Sequence, residues 1–292
     1  MQVLEKNINN ILGKEGEIWL KRIPVIAEKL QKYWKLSDLS PVENMTYNYV
    51  MKGIQNNKTP VVLKIAPFES FIQSEVEALK AFNGCGSVLL LNYNCQCHAS
   101  LLQQALPGTT LKSLYSKEKE LSMNAYIQTM RAIHARSIPS KAQFPHIRDW
   151  LKSIENVKEG QIPQHYLDTA LQLKERLLNS SKKEILLHGD LHHDNVLKHH
   201  RTWLSIDPKG VIGEAEFEIA AFDFISSCEL FSSKNVVSLF YQRLSKIARL
   251  SKLSQERIAD WVYVRLILGA AWMLEDSGDP EIFLKFVKNL FR

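Results

Sequence analysis

The sequence predicts an α+β fold in two parts, a strand-rich N-terminal part and a larger, mainly helical C-terminal part. Short apolar runs typical of strands recur through residues 36–106, with one predicted helix at residues 71–82, and beyond them apolar residues recur at helical spacing. A Pro-Gly pair at residues 107–108 marks the change. We therefore divide the chain into residues 1–106 and 107–292, since 292 residues are enough for two such lobes.

Residues 1–36 are predicted to form a helical extension of the first lobe. Ile8, Ile11 and Ile18 belong to one apolar set at helical spacing, and a second apolar set follows from Ile23. Proline lacks the N–H group that a helix interior needs, so Pro24 is expected to break or restart the helical pattern. We expect two helices that cover the sheet formed by the later strands.

A lysine lies inside one of the predicted strands. Residues 61–65 form an apolar strand that contains Lys64, and residues 55–58 are a candidate hairpin turn before it. Burying an ammonium group is costly unless an anion lies nearby, so the position predicts an acidic or phosphate partner. The helix predicted after the strand offers Glu75 and Glu77. The alternative is a solvated lysine on an edge strand.

The chemistry-bearing stretch is residues 186–213, LLHGDLHHDNVLKHHRTWLSIDPKGVIG. Two short apolar runs flank the polar residues 198–202, which predicts a β-hairpin with Asp207 at its exit. Such a hairpin can bring Asp190, Asn195 and Asp207 to one spot. One carboxylate that accepts a hydroxyl proton, with an amide oxygen and a second carboxylate for Mg²⁺, suits phosphoryl transfer.

This stretch resembles the signature of the aminoglycoside phosphotransferase superfamily, which is His-Gly-Asp followed by Asn at this spacing. Within it, HGDLHHDNVL and WLSIDPKGVIGE are most similar to the streptomycin 6-kinase branch, the aminoglycoside/hydroxyurea antibiotic resistance kinases. The resemblance covers residues 40–230. It implies a bilobal protein-kinase-like fold, in which a small N-terminal lobe with an antiparallel sheet clamps the nucleotide. The larger, mainly helical C-terminal lobe would carry the catalytic and substrate-binding residues.

The resemblance implies an ATP-dependent phosphotransferase that moves the γ-phosphate to a hydroxyl group of a small molecule, with an aminoglycoside as the leading acceptor. On the matching positions, Asp190 would be the catalytic base. Asn195 and Asp207 would bind Mg²⁺.

The resemblance also assigns the nucleotide contacts. Lys64, paired with Glu75, would bind the phosphates of ATP or GTP. The segment before Gly108 is similar to the inter-lobe hinge of the family, and Gln104 and Leu106 are the residues expected to read the base there.

Acidic residues follow the hairpin in a chain whose net charge is +6. They could form a negative wall that attracts a cationic acceptor, or they could be ordinary acids of an exposed loop and a helix N-terminus. The family usually has Pro where Ala215 stands and Asp where Glu218 stands, so this chain departs from the family near the acceptor. The acids are Glu214, Glu216, Glu218, Asp223 and Glu229.

Three other interpretations stay open. A metabolic small-molecule kinase of the same fold would use a choline-, homoserine- or sugar-like acceptor, and a pseudokinase would bind nucleotide without turnover. A metallohydrolase would use His188, His192, His193 and Asp194 as metal ligands. In that interpretation, however, the Asn and the later Asp have no purpose, and the downstream region lacks the histidines of a binuclear site.

Composition limits the partners and the compartment. Lys and Arg are scattered, so we expect no nucleic-acid partner. The N-terminus lacks the apolar region of a secretory signal, and the apolar residues 261–274, interrupted by Arg265, are too few to span a membrane. The 4 cysteines lack the usual zinc spacing. We expect a cytoplasmic monomer or weak dimer that does not bind membranes.

Overall fold

The computed structural model describes residues 1–115, 117–140 and 143–291, which cluster into two compact units. The first unit contains Met1–Thr109 and Leu197–Pro208, and the second contains Thr110–Val196 and Lys209–Arg292. The segment Leu197–Pro208 thus clusters with the N-terminal unit. The division of labour between a nucleotide-clamping lobe and a catalytic lobe stays a prediction.

Two helices open the first unit, α1 (Gln2–Leu12) and α2 (Lys14–Trp34), and Gly13 turns the chain between them with a φ of 53°. The two predicted helices are confirmed, but the expected break at Pro24 is wrong, because Pro24 lies inside α2. Pro24 is on the exposed side of the helix, where water can solvate the carbonyl that loses its partner. Packing of the opposite face offsets the cost of about 3 kcal/mol. That face buries Trp19, Ile23, Ala27, Leu30 and Trp34.

Five antiparallel strands form the sheet of the first unit, in the order β1-β2-β3-β5-β4. Asn56 and Asn57, both at positive φ, form the tight turn between β2 and β3, which confirms the predicted hairpin. The helices α1 and α2 pack on this sheet, as predicted. The strands are β1 (Leu36–Pro41), β2 (Tyr49–Gln55), β3 (Thr59–Ile65), β4 (Leu90–Asn94) and β5 (Ala99–Gln103).

Helix α3 (Gln73–Phe82) connects β3 with β4 and buries Val76 and Leu79 in the first unit. A second sheet, of three strands, has the order β6-β8-β9. Its strands are β6 (Pro107–Thr110), β8 (Val196–His199) and β9 (Thr202–Ser205), so the predicted hairpin at this point is present as β8 and β9.

The second unit is mainly helical, with the short antiparallel pair β7 (Ile185–Leu187) and β10 (Val211–Gly213). Its core is built on α12, whose Trp261, Val264 and Leu268 pack with residues of β7 and β10. The helices are α4 (Leu111–Tyr115), α5 (Lys119–His134), α6 (Ile147–Trp150), α7 (Lys152–Glu155), α8 (Gln164–Asn179), α9 (Ala215–Ile219), α10 (Ser227–Ser232), α11 (Val236–Ser251), α12 (Gln255–Glu275) and α13 (Glu281–Leu290). Among the described residues, no helix combines the length and apolar character that a membrane span needs.

Candidate active site

The ammonium group of Lys64 is buried in the first unit and shared by two carboxylates. Lys64 lies on β3, the central strand, and its side chain is 6% exposed. Its Nζ is 2.7 Å from Oε2 of Glu75 and 2.8 Å from Oδ1 of Asp207. Of the two glutamates considered, Glu75 is thus the partner, while Glu77 accepts from Lys80. Burial alone would lower the pKa of Lys64, but the two carboxylates raise it above the usual range.

Asp207 reaches this lysine from the end of the β8–β9 hairpin. Its backbone has a φ of 60°, a left-handed conformation that aspartate tolerates better than most residues. The side chain is 46% exposed, so its carboxylate contacts Lys64 and still meets solvent. Three segments far apart in sequence therefore place one cation between two acids.

Of the two predicted hinge residues, Leu106 contacts the end of that hairpin and Gln104 contacts β3. The backbone N–H of Leu106 donates to Nδ1 of His199 at 3.2 Å, and its carbonyl accepts from the N–H of His200 at 2.6 Å. The N–H of Gln104 donates to the carbonyl of Pro60 at 3.4 Å. Burial lowers the pKa of His199, which favours the neutral ring that can accept from Leu106. A nucleotide base could take the N–H of Leu106 only by displacing His199.

In the second unit, β7 leads into the segment of residues 188–195, here called the HGD loop. Gly189 has a φ of 85°, and a Cβ atom there would lie 2.7 Å from the ring of Trp150. No other residue fits this turn without strain or displacement of Trp150. The carboxylate of Asp190, which follows it, is 33% exposed.

The rest of the HGD loop folds back on Asp190. Nδ2 of Asn195 donates to the carbonyl of Asp190 at 2.9 Å, and Asn195 is 9% exposed. Within residues 1–115, 117–140 and 143–291, Oδ1 of Asn195 accepts no hydrogen bond. The donor of Asn195 is therefore engaged within the loop, and its amide oxygen is an atom of the type that Mg²⁺ binds.

A family model described as aminoglycoside/hydroxyurea antibiotic resistance kinase matches residues 33–277. The chain belongs to this family. The resemblance inferred from the HGD loop and the hairpin is thereby confirmed, as is the enzyme class. This kinase is a phosphotransferase that uses ATP.

The relatives of this kinase include enzymes with several acceptors. A streptomycin 6-kinase of Streptomyces glaucescens is 26% identical over 91% of this chain and 88% of its own length. A streptomycin 3''-kinase of Klebsiella pneumoniae is 26% identical over 80% of this chain and 86% of its own. A hydroxyurea phosphotransferase of Kitasatospora aureofaciens is 23% identical over 91% of this chain and 77% of its own.

Solved structures of two enzymes share the fold. The aminoglycoside phosphotransferase APH(4)-Ia superposes with a TM-score of 0.63 at 17% identity, over 87% of this chain and 93% of that one. The choline kinase LicA from Streptococcus pneumoniae gives 0.64 at 17% identity, over 92% and 98%. The predicted bilobal, kinase-like α+β fold is thus confirmed.

The acids that follow the hairpin have partners inside the second unit of this kinase. Glu214 binds Arg257 at 2.7 Å and also accepts from Trp261, and Asp223 binds His193 at 3.0 Å. Glu229 binds Arg243 at 2.5 Å, and this hydrogen bond lowers the pKa of Glu229 to about 2. These contacts favour structural roles for most of the acids over a continuous negative wall.

Glu218 has a role that the sequence did not reveal. Its fully buried carboxylate accepts hydrogen bonds from the backbone N–H groups of His188 at 2.6 Å and Gly189 at 2.9 Å. Burial alone would raise its pKa, but His134, at 3.3 Å, and His188 lower it. Glu218 therefore fastens the start of the HGD loop to α9. The sequence contains only one sign of this role, which is that the family usually has another acid, Asp, at the position of Glu218.

His192 and His193 of the HGD loop have hydrogen-bond partners within the second unit. Nδ1 of His192 accepts from the N–H of Asp194, and His193 is buried against Asp223. In the described parts of the chain, no three side chains of His, Cys, Asp or Glu are grouped so as to hold a metal ion. The metallohydrolase interpretation therefore gains no support. A site for Mg²⁺ needs fewer protein ligands, because this ion keeps waters and binds substrate phosphates.

We expect Glu218→Gln to destabilise the second unit. The substitution removes the charged carboxylate that accepts from the N–H groups of His188 and Gly189, and it places an amide NH₂ group opposite one of these donors. The loss in the free energy of unfolding should be about 3 kcal/mol, measured by urea denaturation. Glu216→Gln on the same helix is the control, since burial already raises the pKa of Glu216 and a neutral amide costs little there. Equal stabilities of the two variants would contradict the role given to Glu218.

Proposed function

We propose that this kinase transfers the γ-phosphate of ATP to a hydroxyl group of an aminoglycoside-like antibiotic. Two kinds of site residue support the proposal. The buried Lys64, held by Glu75 and Asp207, offers a cation for nucleotide phosphates. The partly exposed Asp190 offers a carboxylate for an acceptor hydroxyl.

The observation that carries the proposal is the Lys64 pair. A lysine buried in a strand is stabilised by anions, and the carboxylate of Asp207 is one that can change partner because its side chain is half exposed. On nucleotide binding, the phosphates would take over part of the role of Asp207 beside Lys64. Glu75, with a side chain 9% exposed, would continue to brace the ammonium group.

Asp207 and Asn195 would hold Mg²⁺, with water and phosphate oxygens completing its coordination. Bound Mg²⁺ would supply charge neutralisation at the phosphates. The donor set fits the ion, since it is one carboxylate and one amide oxygen. Asp190 would orient the acceptor hydroxyl and accept its proton, while the HGD loop fixes its position.

A cationic acceptor is supported by two further carboxylates of the second unit. Asp194 in the HGD loop pairs with Lys112 and its side chain is 43% exposed, and Asp223 is 50% exposed beside His193. Carboxylates that keep contact with solvent can attract the amines or guanidinium groups of an aminoglycoside. Streptomycin and hydroxyurea kinases among the relatives agree with an antibiotic acceptor.

A second candidate, a metabolic kinase for a smaller alcohol, is favoured by the internal partners of Glu214, Glu218 and Glu229. With these acids engaged, fewer carboxylates are available to a polycation. A cytoplasmic location and a monomeric or weakly dimeric state complete the proposal.

The deciding experiment is a screen for phosphorylated product by mass spectrometry, with ATP and Mg²⁺ and one acceptor in each reaction. Streptomycin, other aminoglycosides, hydroxyurea, choline, homoserine and simple sugars form the panel. We expect turnover with an aminoglycoside. Turnover with a metabolite alcohol alone would establish the second candidate. If no acceptor gives a product, the proposal is wrong and the protein is a pseudokinase that binds nucleotide without turnover.

With the acceptor found, Asp190→Ala should lower kcat by about 10²–10⁴-fold, because the proton acceptor is lost. The affinity for nucleotide, measured by calorimetry, should stay within a factor of about two because Lys64 and Glu75 are untouched. The exposed Asp168→Ala on α8 is the control and should keep wild-type kcat. Near-normal turnover by Asp190→Ala would refute the base assignment.

Asp207→Asn should raise the Mg²⁺ concentration for half-maximal activity by roughly tenfold or more, because a charged ligand is lost. Glu75→Gln is a matched control, since it removes the other partner of Lys64 and no proposed metal ligand. Its Mg²⁺ dependence should match that of the wild type even if its KM for ATP rises. Equal Mg²⁺ dependence of Asp207→Asn and Glu75→Gln would count against the ligand role of Asp207.

A further inference from the structure

Arg265 places a charge inside the core helix of the second unit. It interrupts the apolar residues 261–274, and its side chain on α12 is 13% exposed. The guanidinium group lies over the ring of Phe217, 5.1 Å from its centroid. A charged side chain in such surroundings costs free energy that an apolar residue of similar size would not, so its presence needs a reason.

Among the described residues, the hydrogen bond and the ion pair of Arg265 both go to the HGD loop. Nη2 donates to the carbonyl of Gly189 at 2.9 Å and lies 3.7 Å from Oδ1 of Asp190. Nη1 is buried and has no hydrogen-bond partner in the described part of the chain. Arg265 therefore does not serve a network within the core, and its charge is directed toward the aspartate proposed as the base.

The other oxygen of Asp190 faces a second nitrogen. Nε2 of His192 is 3.9 Å from Oδ2, and Nδ1 of His192 is used by the N–H of Asp194. The carboxylate thus lies between a guanidinium group from a rigid core helix and an imidazole from its own loop. Of these two, Arg265 is anchored outside the loop, so it can fix the position of the loop relative to the core.

We propose that Arg265 is a positioning residue for Asp190. It holds the carbonyl of Gly189 by a hydrogen bond and the carboxylate of Asp190 by charge, so that the proton acceptor keeps one orientation toward the acceptor hydroxyl. Glu218 fastens the N–H side of the same turn, and Arg265 fastens its carbonyl side. This inference rests on the proposed function, because it needs Asp190 as the base.

The test uses Arg265→Gln, which keeps a donor for Gly189 and removes the charge. We expect kcat to fall roughly 10- to 100-fold, since small displacements of a reacting group have effects of this size, while KM for ATP stays within about twofold. Arg265→Lys, which restores a charge, should recover part of kcat. The matched control is Arg257→Gln on the same helix, because Arg257 binds Glu214 and the carbonyl of Leu177 and does not contact the HGD loop. It should lower thermal stability and leave kcat of the folded enzyme unchanged.

A double-mutant cycle separates positioning from a general structural effect. In an Asp190→Asn background, Arg265→Gln should lower the residual kcat by less than about twofold, because the group that it positions is gone. A further loss equal to that of the single variant would overturn the inference, as would wild-type kcat in Arg265→Gln. If Arg265→Gln does not fold, Arg265→Lys takes its place in the cycle, and failure of both to fold assigns Arg265 to structure alone. Activity retained by Asp190→Ala would instead refute the proposed function.

Discussion

The pairing of the buried Lys64 ammonium group with two carboxylates is the central interaction of the candidate site in the first unit. The ammonium group is taken out of water on the central strand, and its charge is balanced by Glu75 from α3 and Asp207 from the end of the β8–β9 hairpin. Removal of either acid would leave a buried charge partly unbalanced, which is strongly destabilising. The same arrangement supports the proposal that Lys64 binds nucleotide phosphates, because these are anions that can replace a half-exposed carboxylate.

In the second unit, several contacts hold the short HGD loop in one conformation. Gly189 permits the turn, Glu218 binds its N–H groups, and Arg265 binds its carbonyl. Asn195 closes the loop onto the carbonyl of Asp190. Because these contacts come from α9, α12 and the loop itself, the carboxylate of Asp190 is positioned before any substrate binds. Phosphoryl transfer depends mainly on positioning and charge neutralisation, so these contacts would serve the role proposed for Asp190 as the base.

The features that the sequence predicted are those that depend on neighbouring residues. An apolar strand around Lys64 implied an anion, and Asn56 and Asn57 implied a tight turn. Contacts between distant residues were not predictable. The burial of one face of α2 keeps Pro24 inside a helix, and the partners of Glu218 are backbone groups about 30 residues away. The engagement of Leu106 likewise depends on His199, 93 positions later.

The affinity of Lys64→Met for MgATP, compared with that of the wild type by calorimetry, tests the central claim most directly. Lys58→Met, on the exposed turn of the same hairpin, is the control. If the buried ammonium group is the phosphate-binding cation, Lys64→Met that retains its fold by circular dichroism should bind MgATP roughly tenfold or more weakly, and Lys58→Met should bind normally. Equal Kd values for Lys64→Met and the wild type would contradict the account.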